Sequence, residues 1–116
     1  MIIGFDYYKT LTRHPKLIAM FVQALQSAGH EVVLISAVNA KESQQSYRNR
    51  ILRECKAWNV NFHRVEVVPF IRDEQNPEVK LKACQRLGVE AMFDDRADVC
   101  ALLVANGIPV FQVILE

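Results

Sequence analysis

The sequence alternates between short apolar runs and longer segments of helical character, and this alternation limits the folds open to the chain. Five apolar runs have the length of strands buried on both faces, and they cover residues 2–5, 32–35, 62–70, 89–93 and 109–115. The helical segments between them cover residues 15–28, 40–58, 76–87 and 97–105. This order predicts an α/β three-layer fold with a mainly parallel five-stranded sheet and helices on both faces.

Side-chain spacing in the first two helical segments indicates which face of each helix is buried. In the first, which Pro15 opens and Gly29 ends, the predicted inward residues are Leu17, Phe21, Leu25 and Ala28. In the second, they are Tyr47, Ile51, Leu52, Cys55 and Trp58. We expect both sets to face the core.

Length and charge exclude some classes of protein. A chain of 116 residues is long enough for one domain, residues 1–116, and too short for two. The net charge of +1 argues against the large basic surface with which a domain grips a nucleic-acid backbone. Four basic residues at helical spacing leave a local patch open, although a solvated helix face is the simpler interpretation: Arg48, Arg50, Arg53 and Lys56.

Cysteine usage and hydropathy indicate a soluble, cytoplasmic protein. Three cysteines lie far apart within predicted helices and form no CxxC pair, so we expect reduced core residues at Cys55, Cys84 and Cys100. No signal-peptide pattern is visible, and no apolar stretch approaches the roughly 18 residues that span a bilayer. Three histidines have no metal-ligand spacing and are expected at the surface or as caps: His14, His30 and His63.

Polar side chains follow three of the predicted strands at the point where each strand ends. Asp6 follows the first strand, Ser36 the second, and Asp94 and Asp95 the fourth. Each alone has an ordinary explanation as a turn or helix-capping residue. Because parallel strands joined by right-handed crossovers end at one edge of the sheet, these side chains should gather where such folds bind ligands.

The combination favours a site for a cation and a phosphate group. Three carboxylates at one edge repel each other unless a cation lies among them, and oxygen ligands with open positions suit Mg²⁺. The Ser36 hydroxyl, the Lys80 ammonium and the backbone N–H groups of residues 7–10 can hold phosphate oxygens. An ionised aspartate beside a metal and a phosphate can act as a nucleophile and form an acyl-phosphate.

These residues resemble the motifs of the haloacid dehalogenase-like (HAD) superfamily, which has a Rossmann-like fold and consists largely of Mg²⁺-dependent phosphatases. The first family motif, hhhhDxDxT, is matched by IIGFDYYKTLT, with Asp6 at the nucleophile position and Thr10 at the threonine position. The second, an apolar strand that ends in serine or threonine, is matched by VVLIS at Ser36.

The third and fourth motifs follow in the family's order. A lysine at the start of a helix is matched by Lys80, with Lys82 as the less favoured choice, and a strand that ends in two acids is matched by AMFDD at Asp94 and Asp95. The resemblance implies that phosphate is held by Thr10, Ser36 and Lys80. It also implies a Mg²⁺ site formed by Asp6, the backbone carbonyl of Tyr8, Asp94 and Asp95.

Tyr8 departs from the family pattern, which has a second aspartate for proton transfer at this position. A backbone carbonyl is independent of the side chain, so the substitution should spare metal binding and impair catalysis. A phenol can donate a proton but is a poor base near neutral pH, and loss of a general acid–base group costs roughly 10²–10⁴ in rate. The resemblance therefore implies a slow or specialised phosphatase, with Asp6 and Tyr8 as catalytic residues, or a catalytically degenerate binding or regulatory module.

The shortness of the chain bears on its substrate. A DxY first motif also occurs in the 2-haloacid dehalogenases, but those enzymes carry a helical cap domain for which this chain has no room. By analogy with other capless members, the open site implies a large phosphorylated substrate, a protein partner or an oligomer.

A narrower resemblance links the chain to the phosphatase domain of phage-type polynucleotide kinase–phosphatases. It rests on SAVNAKESQQSYRNRILRECKAW and FDDRADVCALLVANGIPVFQV, where Arg96 fills the arginine of a DDR segment. It implies a nucleotide or a nucleic-acid end as substrate. Arg72 and Asp73 border the same predicted edge and could touch substrate, whereas Asp98 is expected to interact favourably with a helix dipole.

Overall fold

The computed structural model describes residues 1–38, 42–69 and 76–114, and it contains the predicted alternation of strands and helices. The strands are β1 (Ile2–Phe5), β2 (Glu31–Ala37), β3 (Arg64–Val68), β4 (Ala91–Asp94) and β5 (Val110–Gln112). The helices are α1 (Pro15–Ser27), α2 (Gln44–Ala57), α3 (Asn76–Leu87) and α4 (Ala97–Ala105). Among the described residues, no helix combines the length and the apolar character needed to cross a membrane.

The five strands form one parallel sheet in the order β3-β2-β1-β4-β5. Phe5 of β1 pairs with Leu34 of β2 on one side and with Phe93 of β4 on the other. The chain first builds the sheet outward from β1 through β2 to β3 and then returns to place β4 on the free side of β1. The strand order therefore reverses between β1 and β4, which is where open sheets of this type bind ligands. The predicted α/β three-layer fold is confirmed.

Two separate clusters of buried side chains show how the helices cover the sheet. The residues of β2 alternate between them, since Val32 and Leu34 pack in one and Val33 and Ile35 in the other. The first cluster also contains buried residues of α1 and α2, and the second contains those of α3 and α4. One pair of helices therefore lies on each face of the sheet.

The predicted inward face of α1 is wrong by about one residue. Leu17 and Phe21 are exposed, whereas Ile18 and Val22 are buried. The segment Leu17–Val22 is apolar at every position, so its spacing does not select one face, and contact with the sheet decides the rotation of the helix. Ala28, at the end of the predicted stripe, is also exposed.

The predicted face of α2 is correct at its centre. Tyr47, Ile51 and Cys55 are buried and Trp58 packs against the same cluster, whereas Leu52 is exposed. This helix begins at Gln44 rather than near residue 40, because the side chain of Ser43 caps it by accepting a hydrogen bond from the Ser46 N–H at 3.1 Å.

Several strand ends also differ from the prediction. β2 continues one residue beyond Ser36, β3 begins at Arg64 rather than residue 62, and β4 begins at Ala91 rather than residue 89. β5 contains only residues 110–112. The predicted strand ends at positions 70 and 115 lie outside the described residues.

Candidate functional site

Two acidic side chains meet at the point where the strand order reverses. Asp6 follows β1 directly, Asp94 is the last residue of β4, and the backbone N–H of Asp6 donates to the carbonyl of Phe93 at 2.9 Å. Both aspartates are buried. After these residues the chain leads from β1 towards α1 and from β4 towards α4, on opposite faces of the sheet, so the two carboxyl groups lie at the base of the crevice between the diverging connections.

Asp95 completes a cluster of three carboxylates. One carboxylate oxygen from each of Asp6, Asp94 and Asp95 lies within 4.8 Å of the other two. Burial raises the pKa of Asp6 well above its ordinary value, and the negative charge of Asp94 acts in the same direction, while Lys80 lowers it. The cluster is therefore strongly negative when ionised, and a positive charge beside it would stabilise it.

Lys80 supplies positive charge from α3. Its Nζ lies 2.7 Å from Asp6 Oδ1 and 2.9 Å from Asp94 Oδ2, and its side chain is almost entirely buried. Burial alone would lower the pKa of Lys80, but the two carboxylates outweigh burial and raise it above its usual range. Lys82, the less favoured choice of the sequence analysis, is exposed.

The turn after β1 positions Asp6 from the other side. It spans Tyr7–Leu11 and places Lys9 in the left-handed region at φ 62°, where the Lys9 N–H donates to Thr12 Oγ1 at 2.9 Å. The buried Thr10 hydroxyl lies 3.5 Å from Asp6 Oδ2, a long contact, so this oxygen is less constrained than the one bound by Lys80. Since Lys9 uses its N–H within the turn, that group does not face a ligand as the sequence analysis allowed.

Tyr8 points outward from the same turn. Its side chain is 62% exposed, and the ammonium of Lys9 lies 5.5 Å from the centre of its ring. The position that carries the second aspartate in the resembled family therefore presents a solvent-accessible phenol at the edge where the carboxylates meet.

Ser36 lies on β2, one strand away from Asp6. Its buried hydroxyl is 3.1 Å from the hydroxyl of Tyr47 on α2. Burial raises the pKa of Tyr47, and the negative charge of Asp6 acts in the same direction. Ser36 is thus at the predicted edge, with its hydroxyl oriented by Tyr47.

Sequence analysis missed a second group of polar residues beside Ser36. The buried Tyr7 donates a hydrogen bond to Glu54, and its ring packs edge-on against Tyr47 at a centroid distance of 5.9 Å. Arg50 lies over the Tyr47 ring at 4.9 Å. The sequence held part of this signal, because Tyr47 shares the helical spacing of the buried Ile51 on α2. Nothing in the sequence, however, links the α2 residues to Tyr7.

Of the remaining predicted residues, Arg96 and Asp98 lie in the described part of the chain, shortly after Asp94. The backbone N–H of Arg96 donates to Asp94 Oδ1 at 3.0 Å, and its guanidinium binds Asp98, whose pKa is lowered by this hydrogen bond. Asp98 lies in the first turn of α4, as expected for an interaction with the helix dipole. Arg72 and Asp73 lie outside the described residues.

The histidines lie away from the acid cluster, and His14 and His63 are exposed, as expected for surface residues. His30 contacts the N-terminal ammonium at 3.1 Å, and the Nδ1 atom of His63 accepts a hydrogen bond from Val32, so both lie at the opposite edge of the sheet. His14 is exposed and directly precedes α1.

The donor set at the crevice fits a hard divalent cation. All three clustered side chains offer carboxylate oxygens, the type of ligand that Mg²⁺ prefers, and their separation allows oxygens from different residues to reach one ion. Asp95 and the less constrained oxygen of Asp6 are the most available ligands, because both oxygens of Asp94 already accept hydrogen bonds from Lys80 and Arg96.

The fold and this cluster define a class: a Rossmann-like α/β protein with a carboxylate–lysine cluster at its topological switch point. No family model matches the chain, and the search of curated proteins found no match. Two solved structures of the Pnkp1/Rnl/Hen1 complex, one of them described as an RNA repair complex, contain a similar chain with a TM-score of 0.78 and 18% identity. The match covers 99% of this chain and 42% or 46% of the other, so this chain spans less than half of the length of that relative.

Two universal stress proteins are also similar in fold. The protein from Archaeoglobus fulgidus has a TM-score of 0.62 at 11% identity, with 97% of this chain and 92% of the other covered. The family member from Burkholderia pseudomallei has a TM-score of 0.63 at 15% identity, with 98% and 96% covered. At these identities, all the likenesses establish the fold alone.

Proposed function

We propose that this protein is a Mg²⁺-dependent phosphomonoester phosphatase that forms an aspartyl-phosphate on Asp6. The observation that carries the proposal is the meeting of Asp6, Asp94 and Asp95 around one position at the switch point, with Lys80 holding two of them. The motif resemblance to the HAD superfamily supports it, because the residues that match the four motifs are those found at this edge.

The chain's own residues would bind the metal and the phosphate group. Mg²⁺ would be held by Asp6, the carbonyl of Tyr8, Asp94 and Asp95, and when bound it supplies positive charge to the phosphoryl oxygens. The phosphate contacts would come from Thr10, Ser36 and Lys80. The hydrogen bond between the hydroxyls of Tyr47 and Ser36 restricts the rotation of the Ser36 side chain, which lowers the entropic cost of placing it against a phosphate oxygen.

Asp6 carries the chemistry in this proposal. A carboxylate oxygen of Asp6 attacks phosphorus, a new P–O bond forms to Asp6, and the bond between phosphorus and the substrate's alcohol oxygen breaks. The departing oxygen takes up a proton. Water then attacks phosphorus, releases inorganic phosphate and restores the Asp6 carboxylate. Lys80 assists the first step, because its positive charge lowers the pKa of Asp6 against the larger opposing effect of burial and so favours the ionised carboxylate.

Tyr8 sets the expected limits of the reaction. Its exposed phenol can reach a substrate at the crevice and donate a proton to the leaving oxygen. A phenol is a poor base for activating water near neutral pH, so hydrolysis of the acyl-phosphate would be slow. We therefore expect a slow enzyme, or one specialised for substrates with good leaving groups.

Two likenesses support a substrate class: the resemblance to polynucleotide kinase–phosphatases and the shared fold with a chain of an RNA repair complex. Both favour a nucleotide or a nucleic-acid end. A crevice open to solvent would accept the end of a long chain, and a protein partner could close it.

A second function has its own supporting observation. Lys80 already forms ion pairs with both Asp6 and Asp94, and the second aspartate of the resembled family is absent. The same scaffold could therefore act as a binding or regulatory module that holds metal, phosphate or a protein partner without turnover.

Hydrolysis of an activated aryl phosphate distinguishes the two functions. The assay compares native protein, Asp6→Asn, Tyr8→Phe and Tyr8→Asp with and without Mg²⁺. Mg²⁺-dependent turnover that Asp6→Asn abolishes supports the phosphatase, and Tyr8→Phe then reports whether the phenol donates a proton. Equal inertness of native protein and Asp6→Asn, with activity gained by Tyr8→Asp, establishes the binding module.

A thermal melt tests the metal site in either case. A ligand that binds the folded state must raise the melting temperature, so millimolar Mg²⁺ should raise that of native protein and raise it less in Asp95→Asn. Absence of any shift with native protein would contradict the metal site.

A further inference from the structure

Asn76, the first residue of α3, is a polar residue that is buried at the start of a helix. The buried residues of α3 include Asn76, Lys80, Ala83 and Cys84, whose spacing of three and four residues defines the inward face of the helix. Asn76 is 8% exposed and lies one turn before Lys80 on this face.

The side-chain oxygen of Asn76 lacks the hydrogen-bond partner that a buried polar atom normally has. Among the residues that the structure describes, none donates a hydrogen bond to its Oδ1 atom. An asparagine near the start of a helix usually accepts a backbone N–H and so stabilises the helix end, which is not the case here. Buried polar groups without partners are costly to folding, so a role outside folding would explain this residue.

The geometry of α3 places Asn76 near the edge of the sheet where the crevice lies. The helix follows β3 and leads to the start of β4, so its N-terminus lies at the edge of the sheet where Asp6 and Asp94 meet. Side chains of a helix tilt towards its N-terminus, and one turn rises about 5.4 Å. Asn76 therefore lies about one helical turn beyond Lys80 on the inward face of α3, on the side of the sheet edge where a ligand bound over Lys80 would lie.

We propose that Asn76 is a specificity-determining residue that hydrogen-bonds a hydroxyl group next to the phosphate of the substrate. This inference rests on the proposed function, because it assumes that phosphate binds at the Lys80 end of the crevice. The N-terminus of a twelve-residue helix and the Lys80 ammonium suit the anionic phosphate. The neutral amide beyond them offers an acceptor, which suits a hydroxyl donor. The ligand class is a hydroxylated phosphomonoester, such as a polyol phosphate or a ribose phosphate.

Matched ligands isolate this hydrogen bond. Glycerol 2-phosphate and isopropyl phosphate differ only in two hydroxyl groups, and their dissociation constants can be measured by NMR titration at millimolar Mg²⁺. The full chain carries Asp6→Asn, which prevents turnover. We expect this protein to bind glycerol 2-phosphate about fivefold to tenfold more tightly, the usual worth of one net hydrogen bond. Adding Asn76→Leu should remove the difference and leave the affinity for inorganic phosphate within about twofold.

The melting temperature is a second readout, because it would fall in the Asn76 variants if Asn76 served only to stabilise the fold. Because Leu removes a buried carbonyl oxygen that has no hydrogen-bond partner among the described residues, Asn76→Leu should leave the melting temperature unchanged or raise it. Asn76→Ala repeats the test with a side chain that cannot overpack the site. Asn61→Leu is the matched control, since Asn61 is exposed and precedes β3 at the opposite edge of the sheet.

Three results would overturn the inference: equal binding of the two esters by the Asp6→Asn protein, discrimination that survives both Asn76 variants, or a lower melting temperature with weaker phosphate binding in both variants. Failure of the proposed function is distinguishable, because discrimination without hydrolysis by native protein leaves Asn76 as a recognition residue of a binding module. If none of the phosphate compounds binds, both proposals fail. If the two esters are discriminated as expected, adenosine 3′-phosphate and its 2′-deoxy analogue distinguish a ribose hydroxyl from a polyol hydroxyl.

Discussion

Replacing Lys80 by methionine tests the electrostatic balance of the acid cluster. Methionine keeps the apolar stem of lysine but lacks its ammonium group, which leaves the buried Asp6 and Asp94 without their shared counter-charge. Breaking a buried ion pair by removing one partner typically costs about 3–5 kcal/mol. We expect Lys80→Met to lower the free energy of unfolding by this amount at pH 7.5.

The pH dependence of the loss follows from the pKa of Asp6. The folded protein holds this pKa above the ordinary value of 3.8, so protonation of Asp6 stabilises the folded state. This contribution to the free energy of unfolding is fully present below pH 3.8 and is lost as the pH rises through the folded pKa. Lys80 limits this loss in native protein because it lowers the pKa of Asp6. Without Lys80, the stability of the variant should fall more steeply with rising pH, and the deficit should shrink towards pH 5.

Urea unfolding followed by the fluorescence of Trp58 measures the effect. The matched control is Lys82→Met, on the exposed side of the same helix, which should change stability by no more than about 0.5 kcal/mol. If Lys80→Met were as stable as Lys82→Met at pH 7.5, the carboxylates would not depend on Lys80, and the cluster described here would be wrong.

Three further predictions test the packing. Ile18→Ala should lower the free energy of unfolding by about 2–5 kcal/mol because Ile18 is 3% exposed, whereas Leu17→Ala, at a residue 48% exposed, should cost far less in the same urea experiment. Gly4→Ala should cost about 1–3 kcal/mol, since its new methyl group would lie 2.6 Å from the sulfur of the buried Met92, and an unchanged unfolding midpoint would contradict this close approach. Burial raises the pKa of three thiols to about 11: Cys55, Cys84 and Cys100. A thiol reagent at pH 8 should therefore leave the native protein unmodified, and it should react with three groups per chain when guanidinium unfolds the protein.

Sequence reasoning identified the edge of the sheet at which the polar residues gather. It placed Asp6 and Asp94 together because parallel strands end at a common edge, and this rule depends only on the order of strands and helices. It could not predict that the ammonium of Lys80 lies within 2.9 Å of both, since that depends on how α3 is rotated against the sheet.

Local patterns failed where they were ambiguous. The segment Leu17–Val22 is uniformly apolar, and only contact with the sheet selects Ile18 and Val22 for the core. The hydrogen bond between Tyr7 and Glu54 joins residues that are far apart in the chain, and neither has a sequence signal for the other. The sequence pattern predicts an ordinary helix start at Asn76, whereas the structure buries its side-chain oxygen without a hydrogen-bond partner among the described residues.

The amino-acid sequence by itself determined the succession of strands and helices and the identity of the side chains that follow each strand. Backbone preferences and the spacing of apolar residues act over a few residues, so these features can be read locally. Tertiary structure decided which charges touch, which helix faces are buried and which polar groups lack partners. Those properties depend on distances between elements remote in the chain, which packing of the helices on the sheet sets.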